Sequence, residues 1–291
     1  MSPYVADPVY LNGQFLPAGE ARISPLDRGF LFGDGVYEVI PVYSRRPFRC
    51  AEHLRRMHHS LEGIRLANPH SPDQWQTIVE RLVAAAPWED QGIYIQITRG
   101  CDNKRDHPFP AATVPPTVFA MSSPLVTPTA EQRASGVAAI TVADNRWLRC
   151  DLKVTNLLAN VLLRQQAVDR GCAEAILIRD GLLKEGSASS VFVVRDGVLL
   201  APPKGNLMLP GITYDVVLEL AASHGLASAV REIAVAELHA ADEVWMTSST
   251  KEILAITRLD DRPVGTGTPG PVGQQMWQWY QDFKNTVMRH G

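Results

Sequence analysis

The chain has 291 residues, 45% of them hydrophobic, so it can bury a large core and is near the length at which one core divides into two. Its formal net charge is -3, and the interspersed acidic and basic residues exclude the basic surface stripe of a nucleic-acid-binding protein. The N-terminal residues lack a signal-peptide pattern and no apolar run reaches the roughly 18 residues of a membrane span. We therefore expect a soluble, cytoplasmic protein without a membrane or nucleic-acid partner.

The first half of the chain predicts a hairpin, two helices and two strands. Asn12-Gly13, between two short apolar runs, predicts a type I′ hairpin. Apolar residues recur at helical spacing over residues 52–66 and again over residues 72–86. Strands are predicted at GIYIQITRG, where isoleucines alternate with Tyr94, Gln96 and Thr98, and at VPPTVFAM. A polar loop, residues 101–110, separates these two strands.

A segment rich in serine, threonine and proline, residues 122–134, predicts a linker. It divides the chain into an N-terminal domain, residues 1–121, and a C-terminal domain, residues 135–291. Strands are predicted after it at GVAAITVAD, AEAILIRDG, SVFVVRDGVLLAP and EVWMTSS. The order of elements predicts an α+β fold, with antiparallel or mixed sheets and flanking helices in both domains.

Two helices are predicted in the C-terminal domain. One covers residues 213–224. The other has Thr155 or Asn156 as its N-cap and Gly171 as its stop, so that Lys153 falls just before it. The apolar face of this second helix comprises Leu157, Leu158, Val161, Leu162 and Val168.

The four cysteines lie far apart without a CxxC pair, which signals neither a zinc site nor a disulfide framework. We expect buried, reduced thiols at Cys50, Cys101, Cys150 and Cys172. No metal site is predicted.

The first candidate for chemistry is Lys153, which lies in the run RWLRCDLKVTNLL among Trp147, Leu148, Leu152 and Val154. Apolar surroundings disfavour the charged form of an amine and leave a free amine that can attack an aldehyde. On this segment alone, a surface lysine that snorkels to solvent is the stronger interpretation.

Three further segments supply complementary groups. Glu185 in KEGSASSVF can keep a pyridine nitrogen protonated, although alone it fits an exposed turn as well. LPGITYD begins a helix at Gly211, and the unpaired amides of a helix N-terminus bind anions. TSSTKE, residues 247–252, adds a second group of donors. An ordinary cap and a Ser/Thr-rich turn are the alternatives for these last two segments.

Together these segments resemble the fold-type IV family of pyridoxal-phosphate enzymes over nearly the whole chain, with the D-amino-acid aminotransferases as the closest group. DRGFLFGDGVYEVIPVY at 27–43 is similar to the N-terminal signature of that family. EHLRRM at 52–57 is similar to its phosphate-arginine helix, and RWLRCDLK to its lysine segment.

The resemblance implies that Lys153 carries pyridoxal phosphate as a Schiff base, that Glu185 pairs with the pyridine nitrogen and that the cofactor lies between the two domains. The other cofactor-binding residues that it implies are Arg56, Ile212, Thr213, Ser249 and Thr250 at the phosphate, and Leu209 against the ring. Val154 and Ser190 depart from the family pattern, which usually has Ser or Thr and Asn there, so substrate range and cofactor tuning stay in doubt.

The resemblance also implies a transaminase that moves the amino group of a D-amino acid, such as D-alanine, to a 2-oxo acid such as 2-oxoglutarate. In the polar loop, Arg105 and His107 match the Arg-x-His that traps the substrate carboxylate from the neighbouring subunit of a homodimer, and Tyr37 matches the tyrosine of that trap. Without a substrate, the same loop would be a solvated basic turn.

Other functions stay open within this fold. A branched-chain L-amino-acid transaminase, an (R)-amine transaminase and an aminodeoxychorismate lyase are alternatives, as is a non-catalytic protein that binds the cofactor or a metabolite. The presence of both Lys153 and Glu185 argues against the last of these.

Overall fold

The computed structural model describes residues 4–290; residues 1–3 and 291, which the predicted domain ranges include, lie outside the described residues. The chain forms two compact units. The first comprises the described residues up to Leu125, the segment Leu152–Leu157 and residues 286–290. The second comprises Val126–Asp151 and Leu158–Asn285. Lys153 therefore belongs to the first unit, although its flanking segments in sequence belong to the second.

The first unit is an antiparallel sheet with helices packed on one face. Its six strands are ordered β2-β1-β6-β5-β3-β4. The strands are β1 Val9–Leu11, β2 Gln14–Leu16, β3 Gly35–Tyr43, β4 Arg46–Pro47, β5 Gln91–Thr98 and β6 Thr117–Pro124. The helices are α1 Arg28–Phe32, α2 Cys50–Gly63 and α3 Pro72–Ala85, with a 3-10 turn at Ala18–Glu20.

Local sequence explains several of these elements. Asn12 and Gly13 have φ angles of 47° and 91°, which confirms the predicted hairpin. Helix α3 begins with a capping box, in which Ser71 and Gln74 bond reciprocally, and with proline at its first position. The predicted helices over residues 52–66 and 72–86 are confirmed as α2 and α3.

The two faces of the first sheet differ. One face carries Val36, Ile40, Ile93, Ile95 and Ile97, all fully buried in a core formed with α2 and α3. The other face is only half-buried, and its neighbouring residues on β3, β5 and β6 are Tyr37, Val39, Tyr94, Gln96, Phe119 and Met121. The alternation predicted for β5 is thus confirmed, except that Thr98 is buried because its hydroxyl donates to Asp27.

The second unit is a nine-stranded mixed sheet with helices. Its main strand order is β12-β11-β10-β13-β14-β7-β8-β9, with β15 paired to β14. The strands are β7 Val137–Ala143, β8 Glu174–Arg179, β9 Leu182–Gly186, β10 Ser190–Arg195, β11 Val198–Ala201, β12 Ser228–Val230, β13 Glu243–Ser248, β14 Glu252–Leu259 and β15 Arg262–Pro263. The helices are α4 Ala130–Ser135, α5 Leu158–Val168, α6 Ile212–Ser223, α7 Val235–His239 and α8 Pro271–Phe283, with a π-helical turn at Lys284–Met288. Antiparallel and mixed sheets with flanking helices confirm the predicted α+β class.

Helix α5 corrects two predictions. It begins at Leu158, and Thr155 does not cap it, because the Thr155 hydroxyl donates instead to the carbonyl oxygens of Gly33 and Gly35. The buried residues of α5 are Leu163 and Ala167, whereas the predicted apolar face is turned outward. The exposed fractions of Leu158, Val161 and Leu162 are 66%, 58% and 58%.

Three smaller findings complete the fold. Residues 122–134, predicted as a linker, contain the end of β6 and most of α4. Cys150 and Cys172 are buried free thiols, but Cys50 and Cys101 are partly exposed, which corrects the expectation of four buried thiols. Within residues 4–290, none of the helices combines the length and apolar character that a transmembrane segment needs.

Candidate active site

Lys153 lies in an extended segment that is bonded to strand β3. The amide of Tyr37 donates to the carbonyl of Lys153 at 2.9 Å, and the amide of Thr155 donates to Gly35 at 2.9 Å. On the other side, the amide of Lys153 donates to Oγ of Ser60 on α2 at 3.0 Å. The backbone of Lys153 is thus fixed by both β3 and α2.

The amine of Lys153 lies over an aromatic ring. Its Nζ is 4.1 Å from the ring centroid of Tyr37, a cation–π distance when the amine is protonated. Tyr37 stacks in turn on Tyr94, with ring centroids 5.7 Å apart, and the Tyr94 hydroxyl donates to Gln96 at 2.7 Å. Lys153 and Tyr37 therefore share the half-buried face of the first sheet, away from the hydrophobic core.

Arg56, the predicted phosphate arginine, belongs to a buried group on the same unit. Its Nη2 and Nε donate to the two oxygens of Glu38 at 2.6 and 3.0 Å. Although burial alone would raise the pKa of Glu38, the charge of Arg56 and the hydrogen bond from His53 hold it well below its usual value. Glu38 is therefore an anion that fixes the guanidinium of Arg56 in one orientation.

His53 is the third member of this group, and sequence reasoning missed it. It is fully buried, and its Nδ1 lies 3.1 Å from Oε1 of Glu38. Burial lowers the pKa of His53, in spite of Glu38 beside it. A carboxylate can only accept, so the neutral ring carries its proton on Nδ1, and within the described residues Nε2 has no hydrogen-bond partner.

In the second unit, Glu185 is a buried carboxylate near the end of β9. It accepts from Nη1 of Arg146 at 2.8 Å and from the amide of Leu209 at 3.2 Å. Burial raises the pKa of Glu185 to about 7, against the opposing effects of Arg146 and Leu209. The structure thus brings two predicted residues, Glu185 and Leu209, together.

Arg146 was also missed by sequence reasoning, although it opens the segment RWLRCDLK. Its Nε and Nη2 donate to Asp144 at 2.9 and 3.1 Å, and Asp144 pairs with Arg179 as well. The signal that could have found Arg146 is its position two residues after an acidic residue at the end of a predicted strand.

The two predicted phosphate turns meet at Ser190. Gly211, the N-cap of α6, leaves the space in which Oγ of Ser190 lies, since a β-carbon at Gly211 would come within 2.8 Å of that atom. Ser190 also pairs across the sheet with Thr247, just before the turn that contains Ser249 and Thr250. The first-turn amides of Ile212 and Thr213 and the turn at Ser249 and Thr250 thus both lie next to Ser190.

The loop of residues 101–110 belongs to the first unit and is mostly exposed. The guanidinium of Arg105 is 5.3 Å from the ring centroid of Phe32, and the His107 ring is 5.4 Å from the same ring. Among the described residues, no hydrogen bond or ring contact joins Tyr37 to Arg105 or to His107. The structure therefore places the two loop residues together, but not with Tyr37 of the same chain.

Comparisons with known proteins agree with this arrangement. The family described as amino-transferase class IV matches residues 35–259. In solved structures, the fold is similar to the branched-chain amino acid aminotransferase of a T.th. strain crystallised with pyridoxamine 5'-phosphate, with a TM-score of 0.87, 29% identity and coverage of 95% of this chain and 93% of that one. The corresponding enzyme of Escherichia coli gives a TM-score of 0.86 at 27% identity, covering 94% and 93%.

The chain therefore belongs to class IV of the aminotransferases. Within that class it is similar to two curated proteins named D-alanine aminotransferase. The one from Bacillus licheniformis is 40% identical over 264 residues, which are 91% of this chain and 92% of the relative. The one from Listeria monocytogenes is 36% identical over 272 residues, 94% of each chain.

Proposed function

We propose that the protein is a pyridoxal-phosphate-dependent transaminase that moves the amino group of a D-amino acid, such as D-alanine, to a 2-oxo acid such as 2-oxoglutarate. The setting of Lys153 carries the proposal, because its backbone is fixed by β3 and α2 and its amine lies over Tyr37. The names of the relatives at 36–40% identity support a D-amino acid as the substrate.

The residues present fit the proposed cofactor. Arg56 offers a guanidinium that Glu38 holds in a fixed orientation, and the first turn of α6 offers amides without intrahelical partners. Glu185 accepts one hydrogen bond on each oxygen, and a carboxylate has about four acceptor positions, so an N–H of a pyridinium ring can be accepted as well. The proposal assigns the cofactor to residues of both units.

When bound, pyridoxal phosphate supplies an aldehyde that condenses with amines and a ring that stabilises negative charge on the substrate Cα. Nζ of Lys153 binds it covalently and, once the substrate amine has displaced it, removes the proton from the substrate Cα as a general base. Glu185 keeps the ring nitrogen protonated. Arg56, Ile212, Thr213, Ser249 and Thr250 hold the phosphate, and Leu209 lies against the ring.

The substrate is held by its carboxylate. The guanidinium of Arg105 donates in a fork that matches a carboxylate, and His107 and Tyr37 can add further hydrogen bonds. In a homodimer, the proposal assigns Arg105 and His107 of one subunit to the site of its partner. The exposed apolar residues of α5 support a second copy of this chain as a partner, since they would be removed from water in the dimer.

A cytoplasmic location is part of the proposal. It is supported by the four free cysteines, because thiols stay reduced in the cytoplasm. Cell fractionation followed by immunodetection tests it.

Borohydride reduction of the holoenzyme followed by peptide mapping tests the role of Lys153. We expect a pyridoxyl adduct on Lys153 and none in Lys153→Arg, whereas Lys184→Arg, which changes another lysine of low exposure, should keep the adduct. Mapping of the adduct to any other lysine would overturn the assignment.

The substrate class is tested by incubation of the enzyme with 2-oxoglutarate and either D-alanine or L-leucine, and by identification of the enantiomer of glutamate that forms. We expect D-glutamate from D-alanine. Formation of L-glutamate from L-leucine, with D-alanine inert, would replace the proposal with a branched-chain transaminase.

A further inference from the structure

Arg28 is a buried arginine to which the chemistry so far gives no role. It begins helix α1, and its side chain is 5% exposed. The preceding Asp27 caps the helix by accepting from the amide of Gly29, and it also accepts from the hydroxyls of Thr98 and Thr117. Gly29 permits this close approach, since a β-carbon there would lie 2.3 Å from Cγ2 of Thr98. The sequence Asp-Arg-Gly thus fixes Arg28 at the base of the loop of residues 101–110.

The guanidinium of Arg28 binds three consecutive carbonyl groups of that loop. Nη1 donates to the carbonyls of Asp106 and Pro108 at 2.6 and 3.2 Å, and Nη2 donates to the carbonyl of His107 at 3.1 Å. These carbonyls flank and include the residue that, with Arg105, forms the proposed carboxylate trap. The planar fork of an arginine is suited to several acceptors at once, whereas a lysine is a point charge on a flexible stem.

The orientation of Arg28 is itself fixed by a carboxylate. Nε of Arg28 donates to Oδ2 of Asp34 at 2.8 Å, and Asp34 also accepts from Nε and Nη2 of Arg99 at 2.9 and 3.0 Å. Arg99 donates further to the carbonyl of Ile64, at the C-terminal end of α2. The Arg99 guanidinium also lies 3.8 Å from the ring centroid of Phe109, which follows the trap residues.

Phe32, four residues after Arg28 on the same face of α1, contacts the side chains of the trap. Its ring centroid is 5.3 Å from the Arg105 guanidinium and 5.4 Å from the His107 ring. Arg28 thus holds the backbone of the loop, and Phe32 holds the two side chains that the loop presents.

We infer that Arg28 and Phe32 are positioning residues that preset the carboxylate-binding loop before the substrate arrives. The inference rests on the proposed function and deepens it, because it names the residues that determine the affinity for the substrate carboxylate. Neither residue contacts the reacting atoms; both act through Arg105 and His107.

Two measurements on Arg28→Gln test this inference in the holoenzyme. The first compares KM and kcat for D-alanine. A displaced trap weakens substrate binding, so KM should rise on the order of tenfold or more, while kcat and the absorbance of bound cofactor change little. Arg28→Lys should show an intermediate KM. Arg81→Gln, which changes an arginine of the same unit that stacks on Phe15, should match the wild type.

The second measurement is the rate of tryptic cleavage after Lys104 and Arg105, followed by mass spectrometry. Loss of the three carbonyl contacts should speed this cleavage severalfold in Arg28→Gln and leave it unchanged in Arg81→Gln. Wild-type KM and cleavage rate in folded Arg28→Gln would overturn the inference. If Arg28→Gln fails to fold, Phe32→Leu decides the matter, because it keeps the carbonyl contacts and should raise KM; a wild-type KM would overturn the role of Phe32.

The two proposals can fail separately. If the wild type does not convert D-alanine, the proposed function fails, and the cleavage rates alone decide whether Arg28 holds the loop. If the wild type is active but Arg28→Gln equals it in both measurements, only the positioning inference fails.

Discussion

Glu38 and Arg56 form a two-point ion pair inside the first unit, with N–O distances of 2.6 and 3.0 Å and no exposure of the Glu38 side chain. Residues on a strand and on a helix are thereby joined by a charge pair that water does not reach. Since the guanidinium is the proposed phosphate ligand, the orientation of that ligand is decided by a carboxylate that the sequence motif does not single out.

Glu38→Gln should destabilise the protein and weaken its affinity for pyridoxal phosphate. Removal of one partner from a buried ion pair leaves an uncompensated charge, which costs on the order of 3–5 kcal/mol. Urea denaturation of the apoprotein and titration with pyridoxal phosphate measure the two effects. Glu62→Gln, on the exposed side of α2, should change neither. An apoprotein variant as stable as the wild type would contradict the importance of the pair.

The raised pKa of Glu185, about 7, makes the stability of the apoprotein depend on pH. The folded state binds this proton more tightly than the unfolded state, in which the pKa is 4.5, so the free energy of unfolding falls as the pH rises from about 4.5 to 7. Glu185→Gln stays neutral and should lose this part of the fall. Denaturation curves at pH 5 and pH 8 measure it, with the exposed Glu131→Gln as the control. Equal pH dependence in variant and wild type would argue against a raised pKa.

Arg105→Ala should raise KM for D-alanine by about a factor of ten, because a charge-assisted hydrogen bond contributes roughly 1.5–3 kcal/mol. Neutral amine substrates, which lack the carboxylate, should be affected less. Steady-state kinetics with both substrate types measure the difference. Lys104→Ala removes the adjacent positive charge, which pairs only with Asp102 and Asp106, and should have little effect. An unchanged KM in Arg105→Ala would count against the carboxylate trap.

Val161→Lys should shift the protein from dimer to monomer, since it places a charge on the exposed apolar face of α5 that we assign to a subunit contact. Burial of a valine or leucine side chain contributes about 1.5–3 kcal/mol, and a buried unpaired ammonium adds a further cost. Sedimentation analysis across protein concentrations measures the shift. Val230→Lys, at another exposed valine of the second unit, should not alter the assembly state. A variant that sediments as the wild type does would remove α5 from the interface.

The local parts of the fold could be predicted from the sequence. The hairpin at Asn12-Gly13, helices α2 and α3 and the alternation of β5 all follow from patterns within about fifteen residues. Helix α5 could not be predicted correctly, since apolar residues at helical spacing do not reveal whether they face the core of the same chain. Helix α8 was not foreseen, because only Gly273, Met276 and Tyr280 of it are buried, among several glutamines.

The candidate site shows the same limit. Lys153, Glu185 and Arg56 stand in motifs that can be recognised along the chain. Their partners cannot be found in this way, because they come from other elements. Glu38 lies 18 positions before Arg56, and Arg146 lies 39 positions before Glu185. Such pairs depend on which strands and helices become neighbours, and a single sequence does not determine that.

The attachment of Lys153 to the first unit has a consequence for the order of synthesis. Thr155 bonds to Gly33 from 122 positions further along the chain, and Leu152 and Val154 fill the core of the first unit. A ribosome that adds roughly 5–20 residues per second therefore exposes the N-terminal sheet for several seconds before that core can be completed. A fragment that ends at Leu125 would lack these core residues, so the catalytic lysine is also a late structural closure of the part of the protein that is made first.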